Sequence, residues 1–552
     1  MKDKVRKWAV ILTAAALLLT GCGTGHGKTA VNAPSAKERQ PDETIDTFSD
    51  VHLRGRIVKF ADMEYIRPEM DELEELLHAV SKAADGSDPA AVEDAVLDFY
   101  DAYDRFYTAY SISDIYYSGD LTDSRWEEEN SFCVSNAPEA DAMLDELYYI
   151  LAASPVRAAL ETDEYFGEGF FEAYDGESVY DAETLSLMEQ EAALQNQYYS
   201  LQGSDFDLGS EEYYDDCAEE QILVLADLIR VRNRLAAHLG YDSYPEFAGD
   251  WYYYRDYTAE QSDCLLEEIR TELVPLYREA AASGDVWDLL TPCTENETLA
   301  FAAALARALG GDAEKAFALM MRGELYDIAY SDHKYNSSFE TWITSYGEPF
   351  LFMNPEGDTY DWLTIAHEFG HFCNDYACGG AANGIDVAEF FSQGMEYLAL
   401  CYGGNTEDLT EVKLADSLAI YVEQACYAAF EQRMYGLADE ELTVEGLCGL
   451  YERTALEYGF DAVGYDPREF VTVTHFYTNP MYIISYIVSN DAAMQIYEME
   501  LAHSGSGLEC YMSELDSEEP YFMAFLEEAG LEDPFGKGHM AEVRSLFEER
   551  LL

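Results

Sequence analysis

The chain has 552 residues, of which 48% are hydrophobic and 14% aromatic, so it can bury a large core. Its 109 acidic side chains outnumber 32 basic ones and give a formal net charge of −77. This balance argues against nucleic acid as a partner, because phosphate binding needs clustered lysine and arginine. The charge predicts a solvated, self-repelling surface, with a preference for cationic peptides as the weaker alternative.

The N-terminus has the pattern of a bacterial lipoprotein signal peptide. Basic side chains in residues 2–7 precede an apolar stretch, residues 8–20, that is shorter than a membrane-spanning helix needs to be. The stretch runs into the sequence Leu-Thr-Gly-Cys, which resembles a lipobox ending at Cys22. We therefore expect cleavage before Cys22 and lipid anchoring through it, with an ordinary cleaved signal peptide as the alternative.

Residues 23–50 predict a flexible tether, since they are rich in small, polar and charged side chains. Helical patterning begins near Arg67 and Pro68, and apolar residues then recur at spacings of three and four. The segments with this pattern are 89–110, 138–153, 182–203, 211–240, 258–283, 297–309 and 312–322. They predict a mostly α-helical protein.

Strand signals are few and cluster in one place. Residues 341–346 and 349–353 favour β-structure and are separated by Gly347 and Glu348. We expect a small sheet there, beside the helix that follows. An edge strand could hold an extended peptide, and core strands with no substrate role are the alternative interpretation.

Residues 364–373 contain the pattern H-E-x-x-H, formed by His367, Glu368 and His371. Positions four apart on a helix share one face about 5–6 Å apart, so both imidazoles can bind one metal ion. Glu368 is placed to act as a general base on a water at that metal. The pattern therefore predicts the zinc site of a hydrolase, with two hydrogen-bonded core histidines as the alternative.

The helix that carries this pattern has predicted ends. Asp358 can cap its start, with Asp361 in the first turn. Gly379 and Gly380 can end it, because glycine readily adopts a left-handed backbone conformation.

The remaining cysteines are scattered without a C-x-x-C pair or a regular framework. We expect most of them to be buried free thiols. A bridge between Cys373 and Cys378 is the alternative at the end of the motif helix.

A second helical pattern, Ile385–Tyr402, carries Asp386, Glu389 and Glu396 on roughly one face. A zinc site needs a third protein ligand, and position 377, where a third histidine would follow, is Ala377. A carboxylate from this second helix is then the expected ligand. The spacing leaves both Glu389 and Glu396 as candidates, and each could instead be an ordinary solvated residue.

These residues resemble the oligoendopeptidase F and thimet oligopeptidase family of zinc metallopeptidases. Residues 386–396 are similar to the family's second ligand helix, in which a glutamate ligand precedes a Ser-Gln-x-x-Glu sequence. The resemblance implies that Glu389 is the third ligand. It also implies that Asp386 orients a ligand histidine and that Glu396 supports the site.

Residues 475–486 resemble the family's histidine-and-tyrosine segment, which faces the zinc, and residues 232–244 resemble another signature of the family. The resemblance implies that His475, Tyr482 and Tyr486 donate hydrogen bonds to the oxyanion formed during hydrolysis. Without the resemblance, core packing accounts for these three side chains.

The resemblance also implies a fold in which two helical lobes flank a deep substrate channel, with a small β-sheet beside the H-E-x-x-H helix. We divide the chain into a signal peptide (1–22), a tether (23–50), an N-terminal helical region (51–210) and a metallopeptidase catalytic region (211–552). The helical character comes from patterning, whereas the channel comes from the resemblance alone.

The expected protein is an endopeptidase with one Zn²⁺ per chain that cuts internal bonds of short unstructured oligopeptides. It would act outside the cytoplasmic membrane, to which Cys22 would anchor it. The alternatives are an inactive peptide-binding lipoprotein of the same fold and a zinc hydrolase of non-peptide amides. The sequence leaves the oligomeric state and the cleavage preference open.

Overall fold

The computed structural model describes residues 48–53, 55–162, 166–176, 178–202, 210–283, 286–380 and 383–551. The predicted signal peptide, its Cys22 and residues 23–47 of the predicted tether lie outside the described residues.

Helices near the start of the described chain share a hydrophobic cluster of their own. They are α1 (Met70–Ala84), α2 (Pro89–Gly119), α3 (Ser124–Ala152) and the short α4 (Arg157–Leu160). Helix α2 starts where predicted, because the Asp88 carboxylate accepts the N–H of Ala90 and Pro89 fits the first position of a helix.

A second, larger cluster includes side chains from most of the remaining helices. Those before the sheet are α5 (Ala182–Gln202), α6 (Glu211–His238), α7 (Tyr244–Trp251), α8 (Ala259–Glu272), α9 (Val274–Ser283), α10 (Glu295–Leu309) and α11 (Gly311–Gly323). The single helix predicted over 258–283 is therefore two. Pro275 explains the break, since it lacks the N–H that a continuous helix would use.

The sheet has three strands, β1 (Tyr326–Asp327), β2 (Ser338–Ile343) and β3 (Glu348–Met353), in the order β1-β3-β2. Strands β2 and β3 run antiparallel, with Phe339 opposite Phe352, whereas β1 pairs parallel to β3. The prediction placed β2 too late, at 341–346, and missed β1, which is too short for any periodicity. Strand β2 lies at one edge of the described sheet, and whether it holds a peptide stays open.

Helices also follow the sheet. They are α12 (Asp361–Cys378), α13 (Ile385–Tyr402), α14 (Glu407–Ala419), α15 (Ala425–Met434), α16 (Val444–Glu457), α17 (His475–Thr478), α18 (Ile484–Ala502), α19 (Ser506–Glu514), α20 (Phe522–Ala529) and α21 (His539–Arg550). Helix α12 carries the H-E-x-x-H pattern and packs against β2, β3 and α13. The sheet and the second patterned helix therefore enclose the motif.

The predicted ends of α12 are partly correct. The C-terminal end is as predicted, because Gly379 has φ +69° and its N–H donates to the Asp375 carbonyl. At its start, Asp358 accepts the N–H of Tyr360 and so lies before the helix instead of capping it.

The ten cysteines among the described residues are all free thiols. A bridge between Cys373 and Cys378 is excluded by geometry, because five residues along one helix rise about 7.5 Å, more than a disulfide spans. The expectation that most are buried is wrong, since only four are: Cys133, Cys217, Cys373 and Cys426.

The prediction of a mostly α-helical fold with a small sheet beside the motif helix is confirmed. The two lobes, the channel and the boundary at residue 210 stay predictions. Within the described residues, no helix combines the length and the apolar character needed to cross a membrane.

Candidate metal centre and active site

The two motif histidines lie on one face of α12. The ring centroids of His367 and His371 are 5.2 Å apart. Burial lowers the pKa of His371 to about 4, so its imidazole is neutral at physiological pH. A neutral imidazole is the form that binds a metal ion.

Glu389 on α13 supplies a carboxylate beside both rings. Its Oε2 lies 3.5 Å from His367 Nε2 and 4.0 Å from His371 Nε2, and its side chain is fully buried. One ligand atom from each residue lies within 4.8 Å of the others. Ligand atoms about 2.1 Å from a tetrahedral zinc ion lie about 3.4 Å apart, so this donor set fits Zn²⁺.

Glu396 holds one of these histidines in place. Its Oε1 lies 2.8 Å from His367 Nδ1, and its Oε2 lies 2.8 Å from the ammonium of buried Lys413 on α14. Burial alone would raise the pKa of Glu396, but Lys413 and His367 outweigh it and hold that pKa below its ordinary value. A carboxylate bonded to Nδ1 leaves Nε2 for a metal, an arrangement common in zinc sites.

Asp386 does not make the contact that the resemblance implied for it. Its Oδ2 accepts a hydrogen bond of 2.8 Å from the Tyr257 hydroxyl and lies 3.6 Å from Arg255 Nε. Glu396 takes the role of bonding a ligand histidine instead. Glu396 follows Glu389 by seven residues, so the two side chains point within about 20° of each other and both face the site. Asp386 precedes Glu389 by three residues and points about 60° away.

A hydrogen bond from the sheet fixes the position of Glu368, the predicted base. The Ser338 hydroxyl on β2 donates a 2.7 Å hydrogen bond to Glu368 Oε1. Burial raises the pKa of Glu368 to about 7, against the lowering influence of His367 and Ser338. A carboxyl group with that pKa can both take and return a proton near neutral pH. Sequence reasoning missed Ser338, because it precedes the predicted strand and belongs to no motif.

The three predicted oxyanion donors lie together beside Glu389. The Tyr482 hydroxyl donates a 2.5 Å hydrogen bond to Glu389 Oε1. His475 Nε2 lies 3.1 Å from the Tyr486 hydroxyl, and the two tyrosine rings are 5.1 Å apart. Burial lowers the pKa of His475 to about 4, so its imidazole is neutral. The structure thus brings this segment to the same place as the metal-binding set.

Gly370, between the two motif histidines, allows the two ligand helices to approach closely. A Cβ at this position would lie 2.3 Å from the Phe391 carbonyl oxygen on α13, far inside van der Waals contact. The obstacle is backbone, which cannot move aside as a flexible side chain can. Close packing of α12 against α13 therefore requires glycine at position 370, directly before His371.

Replacing Gly370 by alanine should push α13 away from α12 and separate Glu389 from the histidines. We expect a loss of stability of about 1–3 kcal/mol, typical of overpacking, together with weaker zinc binding. Thermal unfolding and zinc stoichiometry measure the two effects.

Gly449→Ala is the matched control, because the nearest atom to its Cβ is Arg453 Nη1 at 3.5 Å. It lies inside α16, where alanine is favoured over glycine by about 1 kcal/mol. Equal stability and zinc content in the two variants would contradict the close-packing argument.

Comparisons with known proteins agree with this fold. Residues 60–177 match the family described as Peptidase M3 N-terminal domain. Among curated proteins, none matches the sequence significantly.

Solved peptidase structures match over nearly the whole chain. PZ peptidase A with an inhibitor aligns with a TM-score of 0.78 and 19% identity, covering 89% of this chain and 99% of that one. An oligoendopeptidase F described as putative, from Bacillus anthracis, aligns with a TM-score of 0.75 and 19% identity, covering 90% and 98%. The M32 carboxypeptidase of Deinococcus radiodurans aligns with a TM-score of 0.55 and 14% identity, covering 87% and 99%. The chain therefore has the fold of these peptidases, and its match over residues 60–177 supports the resemblance to the M3 peptidases.

Proposed function

We propose that this protein is a zinc-dependent endopeptidase that hydrolyses internal bonds of short, unstructured peptides. The observation that carries the proposal is the convergence of His367, His371 and Glu389, with Glu368 and Tyr482 beside them. The fold and the M3 domain match support a peptidase among the zinc hydrolases.

The metal-binding residues would be His367, His371 and Glu389, holding one Zn²⁺ per chain. Bound there, zinc would lower the pKa of a water molecule toward neutrality and polarise the scissile carbonyl. Glu396 keeps the His367 ring turned so that Nε2 faces Glu389. The donor set and its orientation therefore support zinc dependence.

Glu368 would act as the general base. It would take a proton from the attacking water and pass it to the leaving amine. Its pKa of about 7 suits both steps, and the Ser338 hydroxyl keeps the carboxyl group in one position. Ionised and protonated forms are then both accessible near neutral pH.

The experiment that tests this function uses internally quenched peptides with both termini blocked, which an exopeptidase cannot use. We expect cleavage that stops on chelation and returns on addition of Zn²⁺. Cleavage of free-termini peptides alone would indicate an exopeptidase, and cleavage of amide compounds other than peptides would indicate a different hydrolase. An inactive binding protein would retain peptides without cutting them.

The predicted substrate channel leads to a separate expectation. A narrow channel would admit an extended peptide and exclude a folded chain. Digestion of one substrate protein in its folded and in its denatured form tests this. Efficient cleavage of the folded form would contradict a narrow channel.

Tyr482→Phe and Tyr486→Phe should lower kcat more than they change KM, because the oxyanion exists only after attack. Loss of one such donor costs about 10²–10³ in rate. We expect the larger loss for Tyr482, whose hydroxyl contacts the Glu389 carboxylate directly. Steady-state kinetics on one peptide, at measured zinc content, checks this.

Tyr477→Phe is the control for these variants. Its ring stacks on Tyr198 at 3.6 Å and its hydroxyl donates to the Gln221 carbonyl, so it belongs to the core. Unchanged kcat in both the Tyr482 and Tyr486 variants would mean that those two side chains serve packing only.

We propose that the protein is exported and anchored to the outside of the cytoplasmic membrane through Cys22. The basic start, apolar stretch and lipobox-like sequence of residues 2–22 support this. Cys22→Ser should release the protein from the membrane fraction or leave an unprocessed precursor. A variant that fractionates and migrates like the parent would contradict lipid anchoring.

A further inference from the structure

The segment 475–486, which carries the three proposed oxyanion donors, contains an unfavourable backbone conformation. Met481 has φ +68°, in the left-handed region that side chains other than glycine disfavour. It immediately precedes Tyr482. A conformation of this kind persists only where surrounding contacts hold it, and such positions cluster at functional sites.

Glu431 on α15 stabilises this backbone conformation. Its side chain is fully buried, and its Oε1 accepts a 2.7 Å hydrogen bond from the backbone N–H of Met481. The preceding carbonyl, of Pro480, accepts a 2.7 Å hydrogen bond from the Tyr253 hydroxyl. The carbonyl and the N–H of the peptide group between Pro480 and Met481 are therefore both bonded to buried side chains.

The start of the segment is held in the same way. Buried Arg232 on α6 donates from Nη1 to the Phe476 carbonyl at 2.6 Å and from Nη2 to the Tyr477 carbonyl at 2.5 Å. Glu191 accepts from Arg232 Nε at 2.7 Å and fixes the guanidinium. Arg232 therefore holds the first part of the segment, and the turn at Met481 lies between that part and Tyr482.

We infer that Glu431 is a positioning residue for the proposed peptidase reaction: by accepting the N–H of Met481, it fixes the turn that places the Tyr482 hydroxyl beside Glu389. This inference rests on the proposed function. Glu431 acts through the backbone, since its carboxyl group bonds to Met481 and Tyr482 is the residue that contacts Glu389.

Glutamine is the conservative replacement for Glu431, and leucine is the disruptive one. Burial raises the pKa of Glu431 to about 8, so the carboxyl group is largely neutral near pH 7, as an amide is. Glutamine keeps an oxygen for the Met481 N–H, whereas leucine has similar volume and no acceptor.

We expect Glu431→Leu to lower kcat by about 10–100-fold, because small misplacements at a reacting centre have effects of that size. KM and zinc content should change by less than about threefold, since the ligands and the peptide contacts remain. Glu431→Gln should restore kcat to within about threefold of the parent. A normal kcat in Glu431→Leu, or equal losses in both variants, would overturn the inference.

The same substitution in the Tyr482→Phe background separates positioning from general destabilisation. If Glu431 acts through the Tyr482 hydroxyl, Glu431→Leu should lower kcat little further once that hydroxyl is gone. A loss of the same factor in both backgrounds would assign Glu431 a structural role only. If Glu431→Leu fails to fold, Tyr253→Phe takes its place, because it removes the hydrogen bond to the Pro480 carbonyl. Its effect on kcat is then compared in the parent and in the Tyr482→Phe background.

Hydrogen exchange gives a reading that does not depend on activity. Amides of residues 475–486 should exchange faster in Glu431→Leu than in the parent or in Glu431→Gln. If the parent protein with Zn²⁺ cuts no peptide, the proposed function fails while this measurement still reports on the turn. Unchanged exchange in Glu431→Leu would overturn the inference even if the peptidase is active.

Discussion

Replacing Glu368 by glutamine is expected to remove nearly all turnover while leaving the zinc content unchanged. The amide cannot take the proton of the attacking water, and general base catalysis of this kind contributes about 10²–10⁴ in rate. His367 and His371 keep their positions on α12, so metal binding survives. Peptide cleavage and zinc stoichiometry of the same preparation measure the two properties together.

Ser338→Ala is the companion variant. It removes the hydrogen bond to Glu368 Oε1 but leaves the carboxyl group in place, so the loss of kcat should be smaller than in Glu368→Gln. Equal activity of Glu368→Gln and the parent at matched zinc content would exclude Glu368 as the base.

Glu389→Ala is expected to empty the metal site. It removes the carboxylate whose Oε2 lies 3.5 and 4.0 Å from the two histidine nitrogens. Two imidazoles alone are too few for the usual tetrahedral site, which takes three protein ligands. Zinc stoichiometry after dialysis against metal-free buffer should fall close to zero, and activity should fall with it.

Glu396→Ala should affect the site differently. Loss of the bond to His367 Nδ1 lowers zinc affinity by about 10–100-fold, as for other outer partners of metal ligands. It also leaves the fully buried Lys413 with the more distant Asp416 carboxylate, 3.4 Å away, as a partner. Breaking a buried ion pair costs about 3–5 kcal/mol, so this variant should also unfold at lower temperature.

Glu396→Gln keeps the size of the side chain and an oxygen for His367, and should bind zinc better than Glu396→Ala. If Glu396→Ala empties the site and Glu389→Ala does not, the assignment of the third ligand is wrong.

Local sequence determined the elements around the site. The helix predicted over Ile385–Tyr402 has those same bounds, and α12 ends at Gly379 as expected. Helical periodicity and the four-residue spacing of His367 and His371 depend on neighbours within one or two turns, which the sequence displays directly. The β2–β3 hairpin was visible for the same reason, although its first strand starts at Ser338 instead of residue 341.

Tertiary structure decided which side chains meet. Spacing left Glu389 and Glu396 equivalent; the resemblance chose Glu389 as the third ligand but assigned Asp386, not Glu396, to a ligand histidine. The packing of α12 against α13 brings Glu389 to both imidazoles, and it brings Glu396 to His367 Nδ1.

Contacts made between elements by side chains that belong to no motif could not be predicted. Ser338 reaches Glu368 from a strand, Lys413 reaches Glu396 from another helix, and Glu431 reaches Met481 across 50 residues. Each is a single polar side chain with no periodic pattern around it. Its partner depends on the angle and distance at which two elements pack, and these are set by the whole core, so only the folded chain identifies it.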